Sequence, residues 1–147
     1  MPTLLGNRYP PTFTGYPPRM SQEDFPIWRA WYPSVKESAL ALYFDVGLGL
    51  PDELPQSDDA EQLLGWIRNT QKRADAIIER ASDVLLVELR FNAQLNALGR
   101  LLGYVQLLKD DNPFSRSVIP ILVTNRRDTE VERLAISQKI VYEVATL

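Results

Sequence analysis

Two short runs decide the fold of this 147-residue chain: Arg73-Ala74-Asp75-Ala76-Ile77-Ile78 (73–78) and Val84-Leu85-Leu86-Val87-Glu88-Leu89-Arg90 (84–90). Each run has the β-branched and aliphatic residues of a strand and carries one acid among them. An acid in such a position resists burial unless it has a partner. The polar break at 80–83 reads as a turn, so the sequence predicts an antiparallel hairpin in which Asp75 and Glu88 face each other near one end.

The remaining pattern predicts a mixed β-sheet flanked by helices. Leucines recur at three- and four-residue spacing over 94–109, which is typical of an amphipathic helix. The apolar run 118–124 predicts a strand covered on both faces, although Pro120 favours an edge or a bulge there. The other predicted elements are strands at 39–49 and 140–145 and helices at 60–67 and 128–138. The order of strand and helix places the chain in the α/β class.

Composition limits the possible functions. The chain has the length of a single domain and lacks any apolar run long enough for a membrane span. It contains no cysteine and no histidine, which excludes disulfides, thiolate or imidazole metal sites, and Ser-His-Asp or Cys-His catalysis. A net charge of −3 argues against avid, sequence-independent binding to nucleic acid. The beginning of the sequence lacks the pattern of a signal peptide, so we expect synthesis in the cytosol.

Residues 1–33 form a distinct N-terminal segment, followed by a predicted α/β domain at 34–147. The segment holds seven of the eleven prolines and seven of the fourteen aromatic residues, which predicts an extended arm. Ser21 is a predicted N-cap of a short helix that is interrupted near Pro26. The arm either packs on its own domain or docks on another subunit through interface residues of the types that concentrate binding energy. The candidate interface residues are Tyr9, Phe13, Tyr16, Arg19, Phe25, Trp28 and Trp31.

The hairpin and the order of the elements resemble the core of the PD-(D/E)XK nuclease superfamily, which has the restriction-endonuclease-like fold. The resemblance covers about residues 39–145. In that family an Asp, a Glu and a backbone carbonyl hold Mg²⁺, and a lysine helps to activate water. The resemblance implies that Asp75 and Glu88 are the two carboxylates, that Leu89 supplies the carbonyl, and that Arg90 stands in the lysine position.

Two departures from the family motif argue against catalysis. A guanidinium stays protonated and presents a wide planar fork, so Arg90 is expected to pair with the carboxylates rather than assist a water. In the following helix Tyr104 matches the family's Gln-x-x-x-Tyr pattern, but Arg100 replaces the glutamine. We therefore expect a vestigial motif with no catalytic role and no cofactor. A solvated strand edge and a Mg²⁺-dependent nuclease acting on DNA are the alternatives.

The front of the chain also resembles small proteins encoded by tailed phages and prophages. The resemblance lies in 16–20, 23–29 and 42–47. It implies a virion component, such as an adaptor in the head–tail connector, that forms a ring with copies of itself and contacts portal or tail proteins. A small regulatory protein that binds a partner through the aromatic arm is a further alternative.

Overall fold

The computed structural model describes residues 3–51 and 53–147, so residues 1 and 2 of the predicted arm and residue 52 lie outside it. Five strands form one sheet in the order in which they occur in the sequence. They are β1 (Ala41–Leu48), β2 (Lys72–Glu79), β3 (Asp83–Arg90), β4 (Ser117–Thr124) and β5 (Val141–Val144). Pairing is antiparallel from β1 to β3 and parallel from β3 to β5, which confirms the predicted mixed sheet.

Pro120 lies inside the sheet, in a position that tolerates a missing amide donor. It is opposite Leu86 of β3, but β5 begins to pair with β4 only at Ile121. The side of β4 away from β3 is therefore a local edge at Pro120, where a proline does not interrupt a ladder. The shortness of β5 explains how an apolar strand in the interior of the sheet accommodates this residue.

One face of the sheet is covered by two helices. α3 (Leu95–Asp110) lies over the central strands, and α4 (Thr129–Ser137) packs against β5 and α3. The predicted leucine stripe of α3 supplies the buried Leu98, Leu101 and Leu108. Asp128 caps α4 by accepting hydrogen bonds from two amides of its first turn. Both helices thus bury the faces that their spacing predicts.

The other face is covered by the N-terminal segment. Its helix α1 (Asp24–Trp31) packs Ile27, Trp28 and Trp31 against β3 and β4, and two 3-10 turns follow at Tyr32–Ser34 and Lys36–Ser38. The predicted interruption near Pro26 is wrong, because Pro26 lies in the first helical turn, where the amide it lacks needs no helical partner.

The segment before α1 runs along the outer edge of β1. Isolated bridges join Leu4 to Gly47 and Tyr9 to Leu42, each with backbone hydrogen bonds of 2.9–3.0 Å. An uncovered edge strand offers unpaired amides and carbonyls to other chains, so this contact shields β1. The N-terminal segment thus contributes to the sheet edge and to the core. The division of the chain at residue 33 stays a prediction.

The helix between β1 and β2 differs from the others. α2 (Ala60–Thr70) begins at Asp59, which caps it by accepting from the Glu61 and Gln62 amides. None of its residues is buried, although its sequence is amphipathic. Every helix described within 3–51 and 53–147 is too short or too polar to cross a lipid bilayer.

Candidate functional site

The predicted hairpin brings Asp75 and Glu88 together where its ladder ends. The pairing of β2 with β3 extends from Glu79 opposite Val84 to Ala76 opposite Val87, and the next pair in that register is Asp75 and Glu88. Asp75 Oδ2 accepts a 2.7 Å hydrogen bond from the Leu89 amide. The Asp75 carboxylate therefore acts as the acceptor in place of a strand carbonyl. It satisfies the Leu89 amide beyond the end of the β2–β3 ladder.

Glu88 is a deeply buried acid whose charge is balanced by Arg90. Its side chain is only 3% exposed, and Arg90 Nη2 donates to Glu88 Oε2 at 3.2 Å. The two residues lie on one side of β3 by the period of a strand. The Arg90 guanidinium pairs with the Glu88 carboxylate, as predicted from the presence of arginine at the position where the family motif has lysine. The Nε of Arg90 is buried and has no hydrogen-bond partner among the described residues.

Burial and the neighbouring acid together favour the protonated form of Asp75. Desolvation raises the pKa of Asp75 well above its ordinary value, and the charge of Glu88 and a hydrogen bond with it raise that pKa further. The Leu89 amide and Arg90 act in the opposite direction. A protonated Asp75 can donate to Glu88 through one oxygen while the other accepts from the Leu89 amide.

Asp24 is a third acid near this site, and no sequence motif indicated its position there. It lies in the first turn of α1, where Ser21 Oγ accepts a 3.0 Å hydrogen bond from its amide. Burial, followed by the charge of Asp75, raises the pKa of Asp24 to about 6. An acid in the first turn of a helix is already explained by its favourable interaction with the helix dipole. The proximity of Asp24 to Asp75 therefore becomes evident only from the packing of α1 on the sheet. Hereafter, Asp24, Asp75 and Glu88 are the acid cluster.

The helix that follows the hairpin also reaches the acid cluster. Tyr104 of α3 is buried, and its pKa is raised first by burial and then by the charge of Glu88. Arg100 lies one turn earlier, is exposed, and lowers the pKa of Tyr104. The structure thus brings together Asp75, Glu88, Leu89, Arg90 and Tyr104, which the sequence had singled out.

The acid cluster does not fit a bound Mg²⁺ as it is arranged. Within residues 3–51 and 53–147, no three acidic side chains lie close enough together to hold a metal ion. Asp75 accepts a hydrogen bond from the Leu89 amide, and Glu88 accepts one from Arg90. Mg²⁺ requires free carboxylate oxygens in near-ideal octahedral geometry. The arrangement is that of a buried ion-pair cluster.

The predicted interface residues separate into two groups. Trp28 and Trp31 are each 4% exposed, and Tyr9 and Phe13 are half-buried against Phe44 of β1. These four side chains pack within their own chain. Tyr16 is 50% exposed, Arg19 is exposed beside Asp45 at 3.7 Å, and Phe25 is half-buried.

Tyr16 and Phe25 form a surface patch with Arg29, which was not among the predicted interface residues. The two rings are 4.4 Å apart between centroids, and the Arg29 guanidinium lies 5.3 Å from the centroid of the Phe25 ring. The Tyr16 hydroxyl donates to the Met20 carbonyl at 2.8 Å, which fixes the ring on the surface. Tyrosine and arginine are enriched among the residues that contribute most to binding at protein interfaces. Hereafter, Tyr16, Phe25 and Arg29 are the aromatic patch.

Comparisons with protein-family models, with curated proteins and with solved structures found no match to this chain.

Proposed function

We propose that this protein is a non-catalytic structural subunit, built on a restriction-endonuclease-like core whose active-site motif has become an ion-pair cluster. The observation that carries the proposal is the bonding of Arg90 to Glu88 at 3.2 Å beside the Asp75–Leu89 hydrogen bond of 2.7 Å. These bonds engage the groups that a hydrolytic site would present to a metal and a water. A guanidinium also cannot give up a proton near neutral pH.

The aromatic patch is the surface through which we propose that copies of the chain assemble. Tyrosine and arginine are enriched where interfaces concentrate their binding energy, and the patch is held in place by internal contacts. An interface between this patch and a different surface of the next copy is heterologous, and heterologous interfaces form a ring when the rotation between copies closes. With the resemblance of the front of the chain, this supports a head–tail connector ring of a tailed-phage particle, contacting portal or tail components.

Native mass spectrometry of the full chain tests the ring. We expect a closed oligomer of several copies. Tyr16→Ser combined with Arg29→Glu should dissociate it, because the patch loses an exposed ring and reverses a charge. Ile136→Ser is the matched control, since Ile136 is 65% exposed on α4, on the opposite face of the sheet from α1. A wild-type protein that never exceeds two copies would contradict the ring.

A Mg²⁺-dependent nuclease is the second candidate, and the position of Asp75 next to Glu88 at one end of the hairpin, as in the family that the sequence resembles, favours it. Incubation of plasmid DNA with the protein and Mg²⁺ or Mn²⁺ distinguishes the two functions. We expect no cleavage above the level of an Asp75→Asn, Glu88→Gln double variant. Metal-dependent cleavage by the wild type that this variant lacks would overturn the non-catalytic proposal.

A further inference from the structure

An insertion between β1 and β2 forms one wall of a cleft on the surface of the protein. The two strands are adjacent and antiparallel, with Leu48 opposite Lys72, and a turn of a few residues is enough to connect such strands. Here residues 49–71 intervene, and at their base the Gln71 side chain donates to the Gly49 carbonyl at 2.7 Å. Across a cleft of about 730 Å³, α2 of this insertion faces the N-terminal segment and β1. Without the insertion, the cleft would lack this wall.

The cleft has the size and the mixed lining of a site for a small molecule. Ligand sites typically measure about 300–1,000 Å³ and combine apolar walls with a few polar groups. Leu4, Leu5 and Tyr9 of the N-terminal segment are half-buried and supply apolar surface to the cleft. The charged residues of the lining are three arginines and two aspartates, namely Arg19, Arg68, Arg73, Asp45 and Asp111.

Both aspartates of the cleft are already engaged by other groups of the protein. Asp45 Oδ2 lies 3.2 Å from Arg73 Nη1 and 3.7 Å from Arg19 Nε. Asp111 Oδ2 accepts a 2.9 Å hydrogen bond from the Thr3 amide. The lining thus has one more guanidinium than carboxylates, although the whole chain carries a net charge of −3. This local excess of positive charge favours an anionic ligand.

Arg68 supplies the positive charge that the aspartates do not balance. Among the described residues, its guanidinium has no ion-pair or hydrogen-bond partner, and the side chain of the neighbouring Asn69 is equally free. Both side chains are exposed and line the cleft. The last turn of a helix is a favourable place for a cation, but that effect occupies none of the five N–H donors of Arg68. These donors are available to a ligand.

Arg73 is held beside the cleft by an unusual backbone conformation of Asp45. Asp45 lies within β1, between two residues that pair with β2, yet its φ is 51°, in the left-handed region. Its carbonyl and its carboxylate both accept from Arg73 Nη1, at 3.1 and 3.2 Å. Strained backbone of this kind is concentrated at ligand-binding and active sites. The Nε and Nη2 donors of Arg73 have no partner in the part of the chain that the structure describes.

We propose that this cleft binds a small organic phosphate, whose phosphate group is held by Arg68 and Arg73. Guanidinium groups match phosphate oxygens in charge and in hydrogen-bond geometry. The organic part of the ligand then contacts Leu4, Leu5 and Tyr9. Avid binding of a nucleic-acid backbone requires contacts to many phosphates, whereas these arginines line a single cleft. The proposal goes beyond ring assembly and does not depend on it.

Isothermal titration calorimetry of the full chain with phenyl phosphate tests the proposal. At pH 8 this probe is a dianion, since the second pKa of a phosphate ester is about 6. We expect a dissociation constant of about 0.1–1 mM for so small a ligand. Phenol should not bind, because it lacks the charge, and inorganic phosphate should bind more weakly, because it lacks the apolar ring. Raising the ionic strength from about 10 to about 150 mM should weaken the binding of phenyl phosphate.

Two variants test the site in different ways, one by charge and one by space. Arg68→Ala should weaken the binding of phenyl phosphate about tenfold or more, because a charge-assisted hydrogen bond is lost. Gly65→Leu should also block binding, because Gly65 lines the cleft and a side chain there would enter open space.

The matched controls are Arg133→Ala and Gly99→Leu, which should bind phenyl phosphate as the wild type does. Arg133 is an exposed arginine of α4 without an ion pair to any described residue. Gly99 is an exposed glycine of α3 that also faces open space, and neither residue lines the cleft. Far-ultraviolet circular dichroism should show the same secondary structure in all four variants.

Three results would overturn the phosphate site. The first is a wild-type protein that binds no phenyl phosphate at about 10 mM. The second is binding that is undiminished in either Arg68→Ala or Gly65→Leu. The third is a short DNA duplex that binds more tightly than phenyl phosphate and loses its affinity in Arg68→Ala, which would assign the cleft to nucleic acid instead of a small molecule.

Discussion

Trp28→Ala is expected to lower the free energy of unfolding by about 3–5 kcal/mol, the range for removing a large buried aromatic side chain. The Trp28 ring stacks on Tyr32 at 4.8 Å between centroids and meets Phe44 of β1 edge-on at 5.2 Å. Its loss leaves a cavity between α1 and the sheet. Equilibrium denaturation in guanidinium chloride, followed by far-ultraviolet circular dichroism, measures the change.

Tyr16→Ala is the matched control, because it removes an aromatic ring from the same segment at a site that is half exposed. We expect it to change stability by at most about 0.5 kcal/mol, as is usual for surface substitutions. If Trp28→Ala changed stability by less than about 1 kcal/mol, α1 would be a detachable arm. In that case Trp28 would be free to contact another subunit, as the sequence first suggested.

Asp75→Asn is expected to stabilise the protein by about 1 kcal/mol at pH 8, whereas Asp75→Ala should destabilise it by about 1–3 kcal/mol. The asparagine oxygen can still accept from the Leu89 amide, its NH₂ group can donate to Glu88, and the repulsion between two neighbouring acids is lost. Alanine removes the acceptor and leaves the Leu89 amide unsatisfied. Urea denaturation at pH 8 gives both values. Equal losses in the two variants would show that the negative charge of Asp75 is itself stabilising.

The pH dependence follows from the raised pKa values of Asp75 and Asp24. The folded protein holds protons on these acids more tightly than the unfolded chain, so their contribution to stability is complete below the ordinary pKa of 3.8. It decreases as pH rises through the folded pKa, which is about 6 for Asp24 and is also raised for Asp75. Wild-type stability should therefore fall between about pH 4 and 7, and Asp75→Asn should flatten that slope.

Glu79 and Asp83 have lowered pKa values, so their contribution to stability changes with pH in the opposite direction and at lower pH. Hydrogen bonds from Arg116 and Arg80 lower the pKa of Glu79 and Asp83, respectively. The stability that they contribute is lost as pH falls through their folded pKa values, below 4.5 for Glu79 and below 3.8 for Asp83. A stability maximum in weakly acidic solution is therefore expected. A steady rise in stability from pH 4 to 8 would contradict the raised pKa values of Asp24 and Asp75.

The sequence was informative where a local pattern determines the structure. The leucine spacing of α3, the apolar run of β4 and the acid-bearing hairpin were each predicted with their approximate limits. Asp75 and Glu88 could be placed opposite each other because strand register is itself periodic. These features depend on residues that are close along the chain.

The sequence was less informative where structure depends on distant residues. Nothing around Trp28 indicates that Phe44 and the strands beyond it will cover the ring. Asp24 and Asp75 lie far apart in sequence and meet only through the packing of α1. For α2, the amphipathic pattern predicts an apolar face, but it does not determine whether that face packs on its own sheet. Burial of the face depends on the path of the whole insertion.

The packing of α1 on β3 and β4 has a consequence for synthesis of the chain. Trp28 leaves the ribosome before any strand that it will contact, and β4 follows roughly 90 residues later. At elongation rates of about 5–20 residues per second, α1 waits for roughly 5–20 s before β4 is complete. During that time α1 is an apolar segment open to chaperones and to other nascent chains.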